Sequence, residues 1–461
     1  MEGSAVGINE SMLHSSGKGA SALGTWLTIL QLMAGAGILG LPATLSIGGW
    51  TSMAIIVLVA IMTNYTAKAL ISTLYSEPRT EEHRLLASRH GNRLPDYPSV
   101  GYAAFGAPGR AFVHFFHKAT LFGVATIFLI LAGAFLVEGV GGGGEGFIPS
   151  LGDPDDEVIW TQRWTAISAG VALVPLCTFR TLREIAPLAA LGMVASCLTV
   201  LIVVVEAALL YPITNATEDS KHLPLALDFD MSGEVTHSTF VPAGFATAFS
   251  TITLSFGGHA VMPSIEHAMH HREHFAAVAN AAFAFLLLLY VATAFAGYQV
   301  FGDAVASPVL CSLPRDATSG LGFAATLTKL IIGLHVVAGV PLMLNPFALE
   351  LEAMLRVEGP SFRHTAARTL VRTALVGAAF AVAVLVPFFG DVMSLVGALC
   401  LTMMVFVLPV VLTWRLRPED LGPLERVCSV AIVLIGLSAG SIGSYQAIDS
   451  IVGKIREGTL R

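Results

Sequence analysis

Two apolar stretches of the sequence are interrupted by glycine and proline at the same spacing. In Ala34–Pro42 a glycine, Gly37, lies five residues before the proline, and in Ser255–Pro263 Gly258 does the same. Glycine lowers helix stability and proline lacks a backbone donor, so we expect a helix to unwind at each segment. Unwound backbone offers N–H groups to anions and carbonyl groups to cations. The two segments therefore predict a site for a ligand that carries both charges.

Ionisable side chains within apolar stretches are the second group of residues that could take part in chemistry. His259 lies in the second interrupted segment, and His335 lies in the middle of a later apolar run. Histidine changes its charge near neutral pH more easily than other side chains, so both are candidates for proton coupling. The alternative for each is a structural hydrogen bond to backbone. Four more histidines follow at a spacing that would place them on one helical face, where they could hold zinc. A solvated turn is the favoured interpretation of these residues: His267, His270, His271 and His274.

The composition places the chain in a membrane. Of its 461 residues, 54% are hydrophobic and 12% are charged, the mean hydropathy is +0.74 and the net charge is −7. Soluble proteins carry about 25% charged residues, which argues against a soluble enzyme, and the lack of a dense basic stripe argues against nucleic-acid binding. The sequence has no metalloprotease, serine-hydrolase or nucleotide-binding motif. We therefore expect no enzyme activity, no catalytic residue, no cofactor and no bound metal.

Apolar runs long enough to cross a bilayer recur along the chain, since a hydrocarbon core of about 30 Å needs about 20 helical residues. They predict an all-α polytopic membrane protein with about 11 transmembrane helices. The runs cover approximately Ser21–Gly48, Gly49–Leu74, Ala111–Val137, Ile159–Phe179, Ile185–Tyr211, Phe240–Met269, Phe275–Phe301, Leu321–Glu350, Leu370–Phe389, Val392–Leu412 and Val427–Ala447.

Basic residues in the loops predict the orientation. With the N-terminus in the cytosol, the cytosolic loops hold 16 Lys and Arg residues and the opposite loops hold 6, as the positive-inside rule requires. Asn215, in an Asn-Ala-Thr sequon, then lies on an outer loop and is a candidate for glycosylation. We expect no cleaved signal peptide, and a location in the plasma membrane or in a vacuolar, lysosomal or vesicular membrane.

The two interrupted helices divide the chain into related halves. Gly37 and Gly258 are 221 residues apart, and each lies in the first of five consecutive predicted helices. Because five is odd, the second half must insert upside down, which gives a 5+5 inverted repeat with helices 1 and 6 broken. Matching interruptions in two halves indicate a transporter's substrate site. The predicted organisation is a cytosolic tail (1–20), a transmembrane domain (21–450) with repeats 21–211 and 240–414 and an extra helix 427–447, and a C-terminal tail (451–461).

Three motifs in order resemble the amino acid/auxin permease family of the amino acid–polyamine–organocation superfamily. They are Gly35-Ala-Gly-Ile-Leu-Gly-Leu-Pro42 in helix 1, Ser255-Phe-Gly-Gly-His-Ala-Val-Met-Pro-Ser-Ile-Glu266 in helix 6, and Gly297-Tyr-Gln-Val-Phe-Gly-Asp303 at the end of helix 7. The resemblance implies a LeuT-type inverted repeat of usually eleven helices that transports amino acids. It is greater to the vesicular, vacuolar and proton-coupled branches than to the sodium-coupled branch.

These observations lead to one hypothesis for the substrate site. The amides at the start of the outer half of helix 1 would bind the carboxylate of an amino acid, and carbonyl groups at the break in helix 6 would bind its ammonium group. Neither break carries an acidic or basic partner for a charged substrate side chain, which favours neutral amino acids. The candidate binding residues are Gly35, Ala36, Gly37, Ile38, Ser255, Phe256, Gly257 and Gly258.

Energy coupling is expected to come from protons. The middle of helix 8, Ile331–Val340, has no hydroxyl group that would ligate sodium against helix 1. The function hypothesis is therefore a secondary active transporter with alternating access, whose partners are an amino acid, a coupling proton and the lipid bilayer. The alternative is an amino-acid-sensing receptor with a transporter fold, and the short polar N-terminal segment of about 20 residues speaks against it.

Overall fold

The computed structural model describes residues 20–35, 37–78, 80–89, 91–141, 157–178, 194, 196–205, 207–208, 235–313, 320–357 and 361–457. These residues are helical apart from loops, and the only β-type pairing among them is a bridge between Ala20 and Met269. The principal helices are α1 (Ala22–Met33), α2 (Gly37–Gly48), α3 (Ser52–Leu74), α4 (Glu81–Arg89), α5 (Tyr97–Val140), α6 (Glu157–Thr178), α7 (Ser196–Val205), α8 (Phe245–Ser255), α9 (Met262–Ala268), α10 (Phe275–Phe301), α11 (Gly320–Met354), α12 (Phe362–Leu385), α13 (Phe389–Leu416) and α14 (Pro423–Arg456).

Each predicted apolar run overlaps at least one of these helices. Within the described residues, 7 helices are long and apolar enough to cross a membrane, and α1 with α2, bent by 50° at their junction, makes a possible eighth span. The prediction of an all-helical polytopic membrane protein is confirmed, whereas the total of eleven spans stays a prediction. The last helix, α14, continues to Arg456 and so extends into the segment predicted as a tail.

The two broken helices run antiparallel and are joined by backbone hydrogen bonds at both ends. At one end, Ala20 before α1 donates to the carbonyl of Ala268 at the end of α9, with an N···O distance of 2.8 Å. At the other end, Val241 before α8 donates to the carbonyl of Gly48 at the end of α2, at 3.2 Å. The start of each broken helix therefore lies beside the end of the other, as an inverted repeat requires. The relation between the complete repeats stays a prediction.

The remaining helices comprise those that pack against this pair and those that pack mainly against one another. The helix α10 packs against α1 and α2, and α3 packs against α8, while α5, α6, α11 and α12 pack mainly against one another. The helix α13, with a π-helical segment at Gly397–Val407, contacts both α8 and α14. The broken helices thus pack against α3 and α10 and, through α8, against α13 and α14.

Candidate functional site

Proline has a different part in the two breaks. Pro42 lies inside α2, and because it has no N–H, the carbonyl of Ile38 loses the partner that a regular helix would provide. Pro263 is the second residue of α9, where its missing N–H costs no helical hydrogen bond and its fixed φ favours the start of a helix. The sequence pattern is shared, but the position of the proline in the helix after the break differs. Pro42 is the sixth residue of α2, whereas Pro263 is the second residue of α9.

The break in helix 1 begins after Met33, the last residue of α1. The chain leaves the helix at Ala34 and Gly35, and α2 starts at Gly37. The binding candidates Gly35, Gly37 and Ile38 are all buried, whereas Ala36 lies outside the described residues. The first amides of α2 form a helix N-terminus within the membrane, where the helix dipole favours a negative charge.

The break in helix 6 separates Ser255, at the end of α8, from Met262, at the start of α9. Short turns fill it: the N–H of Gly257 donates to the carbonyl of Leu254, and the N–H of Gly258 donates to the carbonyl of Phe256, both at 3.0 Å. Phe256 is fully buried. The Leu254 carbonyl also accepts from the N–H of Phe256. The Phe256 carbonyl accepts only the bond from Gly258 among the bonds described, which leaves its second lone pair for a ligand.

The two breaks lie directly against each other. A Cβ atom on Gly37 would come within 2.6 Å of the Cα atom of Ser255, so only glycine allows this approach. Tyr290 of α10 joins the breaks, because its hydroxyl lies 2.6 Å from the carbonyl oxygen of Met33 and 2.7 Å from that of Ser255. Tyr290 is not among the residues predicted from the sequence, since one tyrosine in an apolar run carries no recognisable signal.

Phe128 of α5 is a second residue of the site that was not predicted from the sequence. A Cβ atom on Gly35 would lie 3.9 Å from the Phe128 ring, and one on Gly339 of α11 would lie 2.5 Å from it. The ring therefore lies between the break in helix 1 and the backbone of α11, and it is 9% exposed. Phe128 and Phe256 give the surroundings of the breaks an apolar character.

His259 lies within the break in helix 6 and is fully buried. Its Nε2 is 3.0 Å from the hydroxyl of Thr66 on α3, and that hydroxyl lies 3.0 Å from the carbonyl oxygen of Met62. If Thr66 donates its one proton to this carbonyl, Nε2 carries the histidine's proton. Nδ1 has no hydrogen-bond partner in the structure, so this tautomer leaves it as an unpaired acceptor.

The other histidines lie apart from the breaks. His335 is half-buried on α11, and its Nδ1 also lacks a hydrogen-bond partner. The four histidines that follow helix 6 do not share a helical face, because α9 ends at Ala268 and the chain turns there to pair with Ala20, in agreement with the turn that was favoured over a zinc site. Among the described residues no group of three or more possible ligands is placed to hold a metal ion. The glycosylation candidate Asn215 lies outside the described residues.

Comparisons with known proteins agree with this architecture. The family model described as "Transmembrane amino acid transporter protein" matches residues 18–449. The chain is 28% identical to the amino acid transporter AVT1J of Arabidopsis thaliana, with 92% of this chain and 90% of the relative covered. It is 24% identical to AVT1H of the same plant, with 97% and 94% covered.

A solved structure supports the fold independently. The crystal structure of MhsT in complex with L-phenylalanine superposes with a TM-score of 0.58 over 94% of this chain and 100% of that one, at 11% identity. MhsT is a transporter of the LeuT fold, so the predicted all-helical LeuT-type fold is confirmed, whereas the helix count and the inverted repeat stay predictions. The chain is an integral membrane protein that transports amino acids and is not an enzyme, and it belongs to the transmembrane amino acid transporter protein family.

Proposed function

We propose that the protein is a secondary active transporter of neutral amino acids that is driven by protons and works by alternating access. The observation that carries the proposal is the contact between the two helix breaks at Gly37 and Ser255. It brings the N-terminal end of α2 beside the C-terminal end of α8. A helix N-terminus favours a carboxylate and a helix C-terminus favours an ammonium group, so the pair suits the backbone of an amino acid.

The carboxylate is assigned to the first helical break, at Gly35, Ala36, Gly37 and Ile38. The amides at the start of α2 support this, since the N–H of Ile38 makes only a long contact of 3.4 Å to the carbonyl of Gly35. The ammonium group is assigned to the second break, with these residues: Ser255, Phe256, Gly257 and Gly258. Binding requires the breaks to move apart, because their backbones are in contact in this conformation.

Specificity for neutral side chains is supported by what surrounds the breaks. Phe128 contacts the position of Gly35, and Phe256 packs against Tyr290 with 4.7 Å between ring centroids. A charged substrate side chain would have to lose its hydration against these rings, at a cost of several kcal/mol. MhsT, which binds L-phenylalanine in its crystal structure, is an example of this fold with a neutral amino acid.

Proton coupling is supported by His259 and, with less structural connection to the breaks, by His335. The unpaired Nδ1 of His259 lies in an unwound segment, where backbone partners can change during transport. The stretch Ile331–Val340 of α11 has no hydroxyl group for sodium. We therefore assign the proton to His259 and keep His335 as the second candidate.

The deciding experiment is uptake by the purified protein in liposomes. A panel of labelled neutral, acidic and basic amino acids is offered with and without a pH gradient, in sodium and in choline buffers. We expect neutral amino acids to accumulate only when the side of entry is the more acidic, with little change when choline replaces sodium. Strict sodium dependence would overturn the coupling proposal, and preference for a charged amino acid would overturn the specificity.

A further inference from the structure

Glu266 is a carboxylate buried inside the predicted membrane region, on α9. It is 1% exposed, as is its partner Arg93 in the segment between α4 and α5. Its Oε2 accepts a hydrogen bond from Nε of Arg93 at 2.9 Å and lies 2.8 Å from Nη2. Its Oε1 accepts a hydrogen bond from the hydroxyl of Tyr75. A buried ion pair persists only with close geometry and additional hydrogen bonds, and this one has both.

Arg93 also binds backbone on two different elements. Its Nη2 donates to the carbonyl of Pro263 in the first turn of α9 at 2.5 Å, and its Nη1 donates to the carbonyl of Leu94, on the way to α5, at 2.8 Å. Tyr75 directly follows α3. We define Arg93, Glu266 and Tyr75 as the inner cluster. It joins α9 to the residue that follows α3 and to the segment that precedes α5.

Whatever holds α9 also holds the start of α1. The N–H of Ala20 donates to the carbonyl of Ala268 at 2.8 Å, and the N–H of His270 donates to the carbonyl of Ala20 at 3.0 Å. The helices α1 and α9 are the halves of the broken helices that lie between the breaks and the predicted cytosolic side. Met33 and Met262, where these halves meet the breaks, are 4% and 0% exposed, so both halves are buried where they reach the breaks.

We propose that the inner cluster closes the route from the helix breaks to the predicted cytosolic side, and that the Arg93–Glu266 pair separates once in each transport cycle. Arg93 and Glu266 are then positioning residues that decide when α1 and α9 leave the rest of the protein. The inference rests on the proposed function only in taking the breaks as the end of that route. It makes no use of the substrate side chain or of the coupling ion.

Reversible cross-linking tests whether the pair must separate. In a variant whose five native cysteines are replaced, Arg93→Cys and Glu266→Cys are joined by a short bifunctional thiosulfonate, and uptake is measured before and after reduction. We expect at least a tenfold loss of uptake on cross-linking and recovery with reductant. The matched control joins Ala20→Cys to Ala268→Cys, which move together and should keep uptake within twofold. Unchanged uptake after complete 93–266 cross-linking would overturn the proposal.

Thiol labelling tests the same closure without any substrate, so its result is independent of the specificity and coupling proposals. Met262→Cys serves as the reporter, and an impermeant maleimide is applied from each side of the membrane. Tyr75→Phe removes one bond to Glu266 and keeps the ion pair, so we expect labelling from the predicted cytosolic side to become about fivefold faster. Tyr102→Phe removes a similar bond to Glu82, away from α9, and should leave the rate unchanged. Equal rates in the two variants would contradict closure by the cluster, even if the double-cysteine variant did not fold.

Discussion

The hydroxyl of Tyr290 lies 2.7 Å from the carbonyl oxygen of Ser255, at the end of α8. The same hydroxyl lies 2.6 Å from the carbonyl oxygen of Met33, at the end of α1. A phenol has one proton to donate, so it satisfies one carbonyl at a time while it stays close to both. Tyr290 thus joins the two broken helices through a bond that can switch between them without the ring having to move.

Tyr290→Phe should weaken both the fold and transport. The variant removes the one proton that the two buried carbonyl groups share, which costs about 1–3 kcal/mol, and it removes the link between the breaks. We expect a lower thermal unfolding midpoint and about tenfold slower uptake per folded molecule. The control is Tyr298→Phe on the same helix, whose hydroxyl bonds to Asp303 and Ser238 near the outer loop. A similar loss of uptake in both variants would show that the effect is general instability.

Side chains added at the glycines of the breaks should reduce uptake most where the least space is available. Gly37→Ala places a Cβ atom 2.6 Å from the backbone of Ser255, whereas Gly258→Ala meets only flexible Leu32, Met33 and Met262 side chains at 3.2 Å. We expect Gly37→Ala to abolish uptake with expression retained, and Gly258→Ala to reduce it only partly. Gly37→Val and Gly258→Val should both abolish it, because a branched side chain exceeds either space. Transport kinetics and surface expression, measured together, check this order, and wild-type uptake by Gly37→Val would refute the site.

Phe128 should influence which side chains are accepted. Phe128→Leu shortens the ring side chain beside Gly35, so larger neutral amino acids should gain about tenfold in uptake relative to small ones. Gly339→Ala pushes against the same ring from α11, where the added Cβ atom would lie 2.5 Å from it, and should shift the preference toward small substrates. Competition assays with a series of aliphatic and aromatic amino acids measure both shifts. If both variants shifted the substrate preference in the same direction, the proposed role of Phe128 in substrate selection would be refuted.

His259→Gln should uncouple transport from the pH gradient. Glutamine can keep a hydrogen bond to Thr66, but it does not titrate near neutral pH. We expect the variant to lose pH-driven accumulation and to retain exchange of internal for external amino acid, while His335→Gln accumulates normally. Full accumulation by His259→Gln would reduce His259 to a structural residue. If His335→Gln alone lost accumulation, the coupling role would move to α11.

Local properties of the sequence determined the membrane setting, the helical class and the position of both breaks. Hydrophobic runs report transfer into lipid residue by residue, and the glycine and proline pairs around Gly37 and Gly258 disturb a helix wherever they occur. The low share of charged residues, 12%, is likewise a property of the sequence that needs no knowledge of the fold. For this reason one helix ends at Met33, directly before the first segment selected from the sequence, and the other ends at Ser255, the first residue of the second segment.

The partners across the fold were decided only by the tertiary structure. Tyr290 lies 35 residues from Ser255, and Arg93 lies 173 residues from Glu266, so no short motif contains either pair. Ala20 pairs with the backbone of Ala268 and His270 where α9 ends. The histidines of this region therefore do not share the helical face that their spacing had suggested. Side-chain contacts between distant segments depend on how helices pack, because a buried donor or charge takes whichever partner the packing brings within reach.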